Sequence, residues 1–292
     1  MGLHSLCGEA CQKMSPHISF KEVFERLVFL SRHLPELACY DPVIRIWQAQ
    51  ENWPTVSELN AFLGPFVNRA NSGAARPLQF IEQTPQKNRV RRRAVPNGLP
   101  GGKAFQYVHS IEAGGSIPTR LANLHDFAGA LTWALFPQTK RVLFRYLHAD
   151  YLDFYETSAD QAIQAWGMGG RGRGLKADRL TVLDESGVLL FSEANHGLDR
   201  VVFGHGLIEQ LVQGGPAVHA PSWTICASGN QAVEAFDGAA ADGAAAVYFD
   251  GFLQNPNPAP NLATIAVDAS VFVLPCMGFA TVAAPVTAGR LD

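Results

Sequence analysis

"PTRLANLHDFAGALTWALFPQTK", residues 118–140, opens with a cluster of hydrogen-bonding side chains and then turns almost wholly apolar. Leu124, Phe127, Ala128, Leu131, Ala134 and Leu135 recur at helical spacing, which predicts a buried helix that begins near Leu124 and stops before Pro137. Asn123 then stands at the N-cap and Asp126 at the third helical position, where a carboxylate meets the positive end of the helix dipole. Capping accounts for Asn123 and Asp126. It gives no task to His125 or Arg120.

Working outward, a second helix follows Pro137 and runs to about Tyr155, with Val142, Leu143, Tyr146, Leu147, Asp150 and Phe154 along one side. On that pattern His148 falls on the opposite, solvent side beside Arg141 and Arg145. Upstream, "PLQFIEQ" (77–83) and "FQYVHSIEAGGSIPTR" (105–120) read as strands, the latter running into a Gly114-Gly115 turn that delivers Arg120 to the helix start. Near the N-terminus Ser19, with Glu22 three positions on, predicts a capping box for an amphipathic helix, and Thr55 caps another behind Pro54. Downstream, "RLTVLDESGVLLFS" (179–192) reads as a hairpin turning at Asp184-Glu185-Ser186-Gly187, with Gly187 able to take positive φ. "DRVVFGHGLIEQLVQGG" (199–215) reads as strand, Gly204-His205-Gly206 turn and helix, stopped by Gly214-Gly215. The sum is an α+β fold of helices packed with short antiparallel strands and hairpins. We expect a helical segment over 1–50, flexible at its start, and one domain over 51–285.

With 292 residues, 47% of them hydrophobic and 17% charged, the chain can bury a substantial core. Its formal charge of -3 argues against a coat protein for nucleic acid, which needs a basic face. Cys7, Cys11, Cys39, Cys226 and Cys276 are an odd set without framework spacing, and no basic-then-apolar leader opens the chain, so a reducing cytoplasmic setting is expected. "SVFVLPCMGFATVAAPV" (270–286) is uncharged, but Pro275, Gly278 and Pro285 break it as a spanning helix, and no membrane partner is expected. Two basic stretches remain: Lys87, Arg89, Arg91, Arg92 and Arg93 in a Pro/Gly-rich loop, and Arg171, Arg173 and Lys176 around Gly167-Met168-Gly169-Gly170-Arg171-Gly172. That glycine pattern reads as following a helix and preceding a strand, so it lacks the strand, loop, helix order expected of a dinucleotide site.

The residues that carry chemistry are few. Gly129, one turn below His125, costs helix stability unless a neighbour or ligand needs its space. His125 is therefore either a packed, hydrogen-bonded histidine or a ligand or general base. Arg120 adds positive charge to a helix N-terminus and suits a small anionic ligand, with a salt bridge to Asp126 as the plain alternative. His205 leaves a buried strand between Gly204 and Gly206, and Glu209 one turn on can orient its imidazole or share a metal with it. Asp184 and Glu185 are either paired carboxylates or ordinary turn residues. A His-Asp pair at a helix start also resembles the HD-type metal phosphohydrolases, in which His109, His148 and Asp150 would take the remaining positions.

Several segments in order, "PLQFIEQ", "IPTRLANLHDFAGALTWALFPQTK", "RGRGLKADRLTVLDESG", "VVFGHGLIEQL" and "VLPCMGF", resemble the bacterial family called domain of unknown function 3025, over roughly residues 53–280. The resemblance implies that Arg120, Asn123, His125, Asp126, Asp184, Glu185, Gly204 and His205 occupy motif positions. It implies no reaction. The chain departs from the family at Leu124, where a Trp is usual, and at Gly129, where a second Asn is usual.

These readings converge on a polar cleft between the Arg120–Asp126 helix start, the 184–185 turn and His205. If the protein is an enzyme, hydrolysis is the expected reaction. His125 would serve as general base or metal ligand, His205 as its partner, Asp126 as orienter or ligand, and Arg120 as the anion contact, with His125, Asp126, His205 and Glu209 as the set that would hold a divalent metal ion. The alternatives are a non-catalytic module that binds polyanion or nucleic acid through loops 87–93 and 171–176, and a structural protein in which every polar group is a cap, turn or buried hydrogen bond.

Overall fold

The computed structural model describes residues 18–69, 76–83, 103–157, 175–193, 197–214, 218–226, 238–254 and 262–267. Helix α1 (Phe20–His33) starts on Ser19, whose hydroxyl accepts from the Glu22 amide at 3.2 Å. The box is half made, because the Glu22 carboxylate pairs forward with Arg26. A 3₁₀ turn (Pro35–Tyr40) and the short α2 (Asp41–Arg45) lead to α3 (Val56–Asn68), where Thr55 and Glu58 complete the reciprocal box. Strand β1 (Gln79–Glu82) follows, as its alternation predicts.

Two segments expected as strands are helices. Residues Lys103–Glu112 form α4, because Phe105, Val108 and Ile111 recur every three residues and bury one helical face. Only after Gly114-Gly115, with Gly115 at φ +66°, does the chain enter β2 (Ser116–Thr119). Residues Leu175–Ser186 form α7, with Ala177, Leu180 and Leu183 facing inward at the same spacing. Asp184 and Glu185 thus lie in the last turn of a helix rather than in a hairpin loop. Gly187 is needed for close approach, its amide bonding the Leu183 carbonyl at 2.9 Å, and not for positive φ. The hairpin comes one element later, as β3 (Val188–Glu193) and β4 (Gly197–Val202).

Helix α5 (Leu124–Leu135) begins on Asn123, whose side chain accepts from the Asp126 amide at 3.0 Å. It is packed against α3 and α8 (His205–Val212), and every residue from Ala130 to Leu135 is buried, which is why its sequence is apolar all round. Phe127 meets Phe20 and Trp47 edge-on at 5.3 and 5.6 Å, so the N-terminal helices share this core. Helix α6 (Pro137–Thr157) buries Lys140, Leu143, Phe144, Leu147 and Tyr151, a stripe shifted from the expected one. Asp242 of α9 (Gly238–Gln254) caps it from outside, accepting from the Gln138 and Thr139 amides at 3.0 and 2.8 Å.

The four-stranded sheet has the order β4-β3-β5-β6, with β5 at Val218–Cys226 and β6 at Leu262–Val267. Its outer pairs are antiparallel and β3 with β5 is parallel; β1 and β2 form a separate parallel pair. Helix α3 brackets β1 with two side chains. Asn60 accepts from the Phe80 amide and donates to its carbonyl, at 2.8 and 2.9 Å, and Asn68 does the same to Leu78 at 2.9 and 3.0 Å. The fold is α+β. Among the described residues no helix is long and apolar enough to cross a membrane. Loop 84–102, the 167–172 glycine run, Cys7 and Cys11 and segment 270–286 lie outside the described residues.

Burial pushes the Cys39 thiol up to about 12. Because the thiolate is the nucleophile, alkylation of native Cys39 at pH 8 is expected to run at least about a hundredfold slower than in the urea-unfolded chain. Site-resolved mass mapping of iodoacetamide adducts checks this, and equal rates in the two states would contradict it.

Candidate functional site

Two chain crossings build the site. The junction of α7 and β3 lies directly against the junction of β4 and α8, with the Phe203 and Gly204 amides both bonded to the Gly187 carbonyl at 2.9 and 2.8 Å. A side chain at 204 would collide with backbone at Ser186 and Gly187, so glycine is required there for close approach. The crossing brings His205 onto the last turn of α7. The imidazole Nδ1–H of His205 donates to the Asp184 carbonyl at 2.8 Å, and the first turn of α5 supplies His125 from the other side.

His125 donates from Nδ1 to Glu209 at 3.0 Å. With each Nδ1 held by an oxygen, both Nε2 atoms turn inward and stand 3.1 Å apart. Glu185 Oε2 completes a triangle, 3.7 Å from the His125 Nε2 and 3.5 Å from the His205 Nε2. The circle through these three atoms has a radius of about 2.0 Å, the length of a zinc–nitrogen or zinc–oxygen bond. Among the described residues this is the one group of three histidine, cysteine or acidic side chains that could hold a metal ion.

The electrostatics differ across the pair. Burial, helped by the Lys140 ammonium, holds the His205 imidazole down to about 4 and therefore neutral at physiological pH. The Glu209 hydrogen bond holds His125 above the usual imidazole range. Burial and the neighbouring Asp184 carboxylate raise Glu185. Two acceptor nitrogens facing each other repel unless a proton or a cation lies between them, so the arrangement can share a proton or chelate a Lewis acid.

Beside the triad opens a cavity of about 350 Å³, walled by Trp133, Phe144, Leu147 and Tyr151 and reached by Tyr107, Arg120 and Lys140. Arg120 grips Asp126 through both carboxylate oxygens, Nε to Oδ2 at 2.9 Å and Nη2 to Oδ1 at 2.6 Å, and its amide bonds the same carboxylate. Both Asp126 oxygens are thereby engaged by Arg120. Lys140 is buried, pairs with Asp184 and sits 5.5–5.7 Å from the ring centres of Trp133, Phe144 and Phe203.

Of the residues singled out in the sequence, His125, His205, Glu185 and Glu209 meet in one place. Glu209 orients His125 rather than His205. Asp126 and Arg120 form a neighbouring ion pair, Asn123 is a helix cap, and Asp184 is the Lys140 partner and the carbonyl support of His205. Gly129 faces the His205 ring, but an added Cβ would meet it at 3.6 Å, an ordinary contact, so the ring does not require glycine there. His148 is not in solvent. Its Nε2 bonds His109 Nδ1 at 2.9 Å and its ring stacks on Phe105, away from the triad, while Asp150 accepts from the Ala177 amide. Sequence reading missed Lys140, whose signal was a charged residue in register with the apolar stripe of α6.

No curated protein and no solved structure matches the chain. Over residues 94–200, which hold Arg120, His125, Asp126, Asp184 and Glu185 and end before His205, the chain matches the model of the family described as Protein of unknown function (DUF3025), the family its sequence resembles.

Proposed function

We propose that the protein is a metal-dependent hydrolase whose ion is held by His125, His205 and Glu185. The observation that carries the reading is the inward pair of Nε2 atoms at 3.1 Å with Glu185 closing the triangle, each imidazole fixed from behind by an oxygen. Three protein ligands that leave one position open are the pattern of catalytic rather than structural zinc, and a bound divalent ion supplies an activated water at neutral pH. Glu209 and the Asp184 carbonyl are the orienting partners such histidines need. The cavity beside the triad gives a small substrate its place. A cytoplasmic location fits the odd number of cysteines without framework spacing.

Metal analysis of tag-free protein is expected to return close to one equivalent of a transition metal per chain, and less than about a tenth of that in His125→Ala and Glu185→Gln. Both variants should keep the wild-type circular dichroism, since each side chain is partly exposed. No metal in the wild type after attempted reloading with zinc, manganese, iron and cobalt would rule the reading out. That result would leave a second reading, favoured by the opposed pKa directions of the two imidazoles: His125 carries a proton that it donates to His205, and the network is structural.

A further inference from the structure

We infer, building on the metal reading, that Lys140 is a positioning residue of the site: through Asp184 it fixes the turn that carries the Glu185 ligand and the carbonyl that orients His205. The inference rests on what one buried side chain touches. Lys140 is 1% exposed, and its ammonium pairs with the Asp184 carboxylate in the last turn of α7. The next residue along is Glu185, and the Asp184 carbonyl holds the His205 Nδ1–H at 2.8 Å. Lys140 also stands 5.6 Å from the ring centre of Phe203, whose amide is bonded to the Gly187 carbonyl across the crossing. One cation thus reaches both chain junctions that build the site.

Helix α6 holds α7 at both ends. Asp150 accepts from the Ala177 amide at 3.2 Å near the start of α7, and Lys140 stands at its C-terminal end, where the helix dipole favours a positive charge. A buried ion pair is often no more stable than a well-packed apolar pair of the same volume. What it adds here is direction. The ammonium lies among the rings of Trp133, Phe144 and Phe203, which fix its position and with it that of the carboxylate it grips. Glu185 and His205 inherit that placement, and outer partners of this kind are typically worth about 10–100-fold in metal affinity.

Metal-free full-length protein, titrated with cobalt(II) at pH 8 and followed by its visible absorption, tests this in the wild type, in Lys140→Met and in Lys140→Met combined with Asp184→Asn. That pH lies above the ordinary titration range of imidazole, so protons do not compete with the metal. Coulomb's law by itself favours tighter cobalt binding in Lys140→Met, because a neighbouring positive charge is gone. It favours no change in the double variant, which loses one charge of each sign. Positioning has the opposite sign. Both variants should bind cobalt at least about tenfold more weakly than the wild type, with weaker visible bands as water replaces a misplaced protein ligand. The double variant strands no charge in the interior, so it decides the matter if Lys140→Met does not fold. Wild-type or tighter affinity in either folded variant would overturn the inference and leave the metal reading standing. No cobalt binding by the wild type would overturn both.

Discussion

Gly204→Ala is expected to lose about 3 kcal/mol of stability and at least about tenfold in metal affinity. The added Cβ would lie within 2.5 Å of the Gly187 amide nitrogen and the Ser186 Cα, and closer still to the Ser186 nitrogen. All three are backbone atoms, so no side-chain rotation relieves the clash. The junction must open, and with it the hydrogen bonds from the Phe203 and Gly204 amides to Gly187 and the His205 contact to the Asp184 carbonyl. Urea denaturation and a zinc titration read the two effects. Gly64→Ala is the internal control: it sits in α3 with open space around it, and alanine there should be neutral or stabilising by up to about 1 kcal/mol. A Gly204→Ala protein as stable as the wild type would show that the two junctions are not in backbone contact.

The second large effect is at Lys140. Lys140→Met keeps the length and the apolar stem but leaves the Asp184 carboxylate buried without its cation, and the expected loss is about 3–5 kcal/mol. Combining it with Asp184→Asn should return most of that loss, because removing both charges no longer strands one of them in the interior. Equilibrium unfolding of the two single variants and the double completes the cycle. A loss under about 1 kcal/mol in Lys140→Met would mean that solvent reaches the pair.

The site was more legible in the sequence than the elements that build it. Helix α5, its Asn123 cap and the strand-to-helix passage at His205 follow from local chemistry, since caps, glycines and apolar stripes act within a few residues of chain. The 103–112 and 175–186 segments were misread because their β-branched and aromatic residues favour strands locally, while a three-residue recurrence of buried side chains decides for helix once there is a core to face. That error moved Asp184 and Glu185 into a loop. The pairing of partners was beyond reach for a different reason. Glu209 shares one helix with His205, and its proximity in sequence suggested that it served that imidazole, yet the packing of α5 against α8 hands it to His125. Lys140 shows the reverse case: a buried cation looks like a surface residue until its carboxylate is found on another helix.

The asparagine bracket on β1 has a consequence for solubility. A two-stranded parallel ribbon leaves donors and acceptors on each flank, and such a flank is a template on which a strand from another molecule can grow. By filling the hydrogen bonds of Leu78 and Phe80 from within the same chain, Asn60 and Asn68 deny that flank to a foreign strand. The protein thus carries its own guard against edge-to-edge aggregation in the helix that precedes the strand, and the guard is in place as soon as α3 and β1 meet.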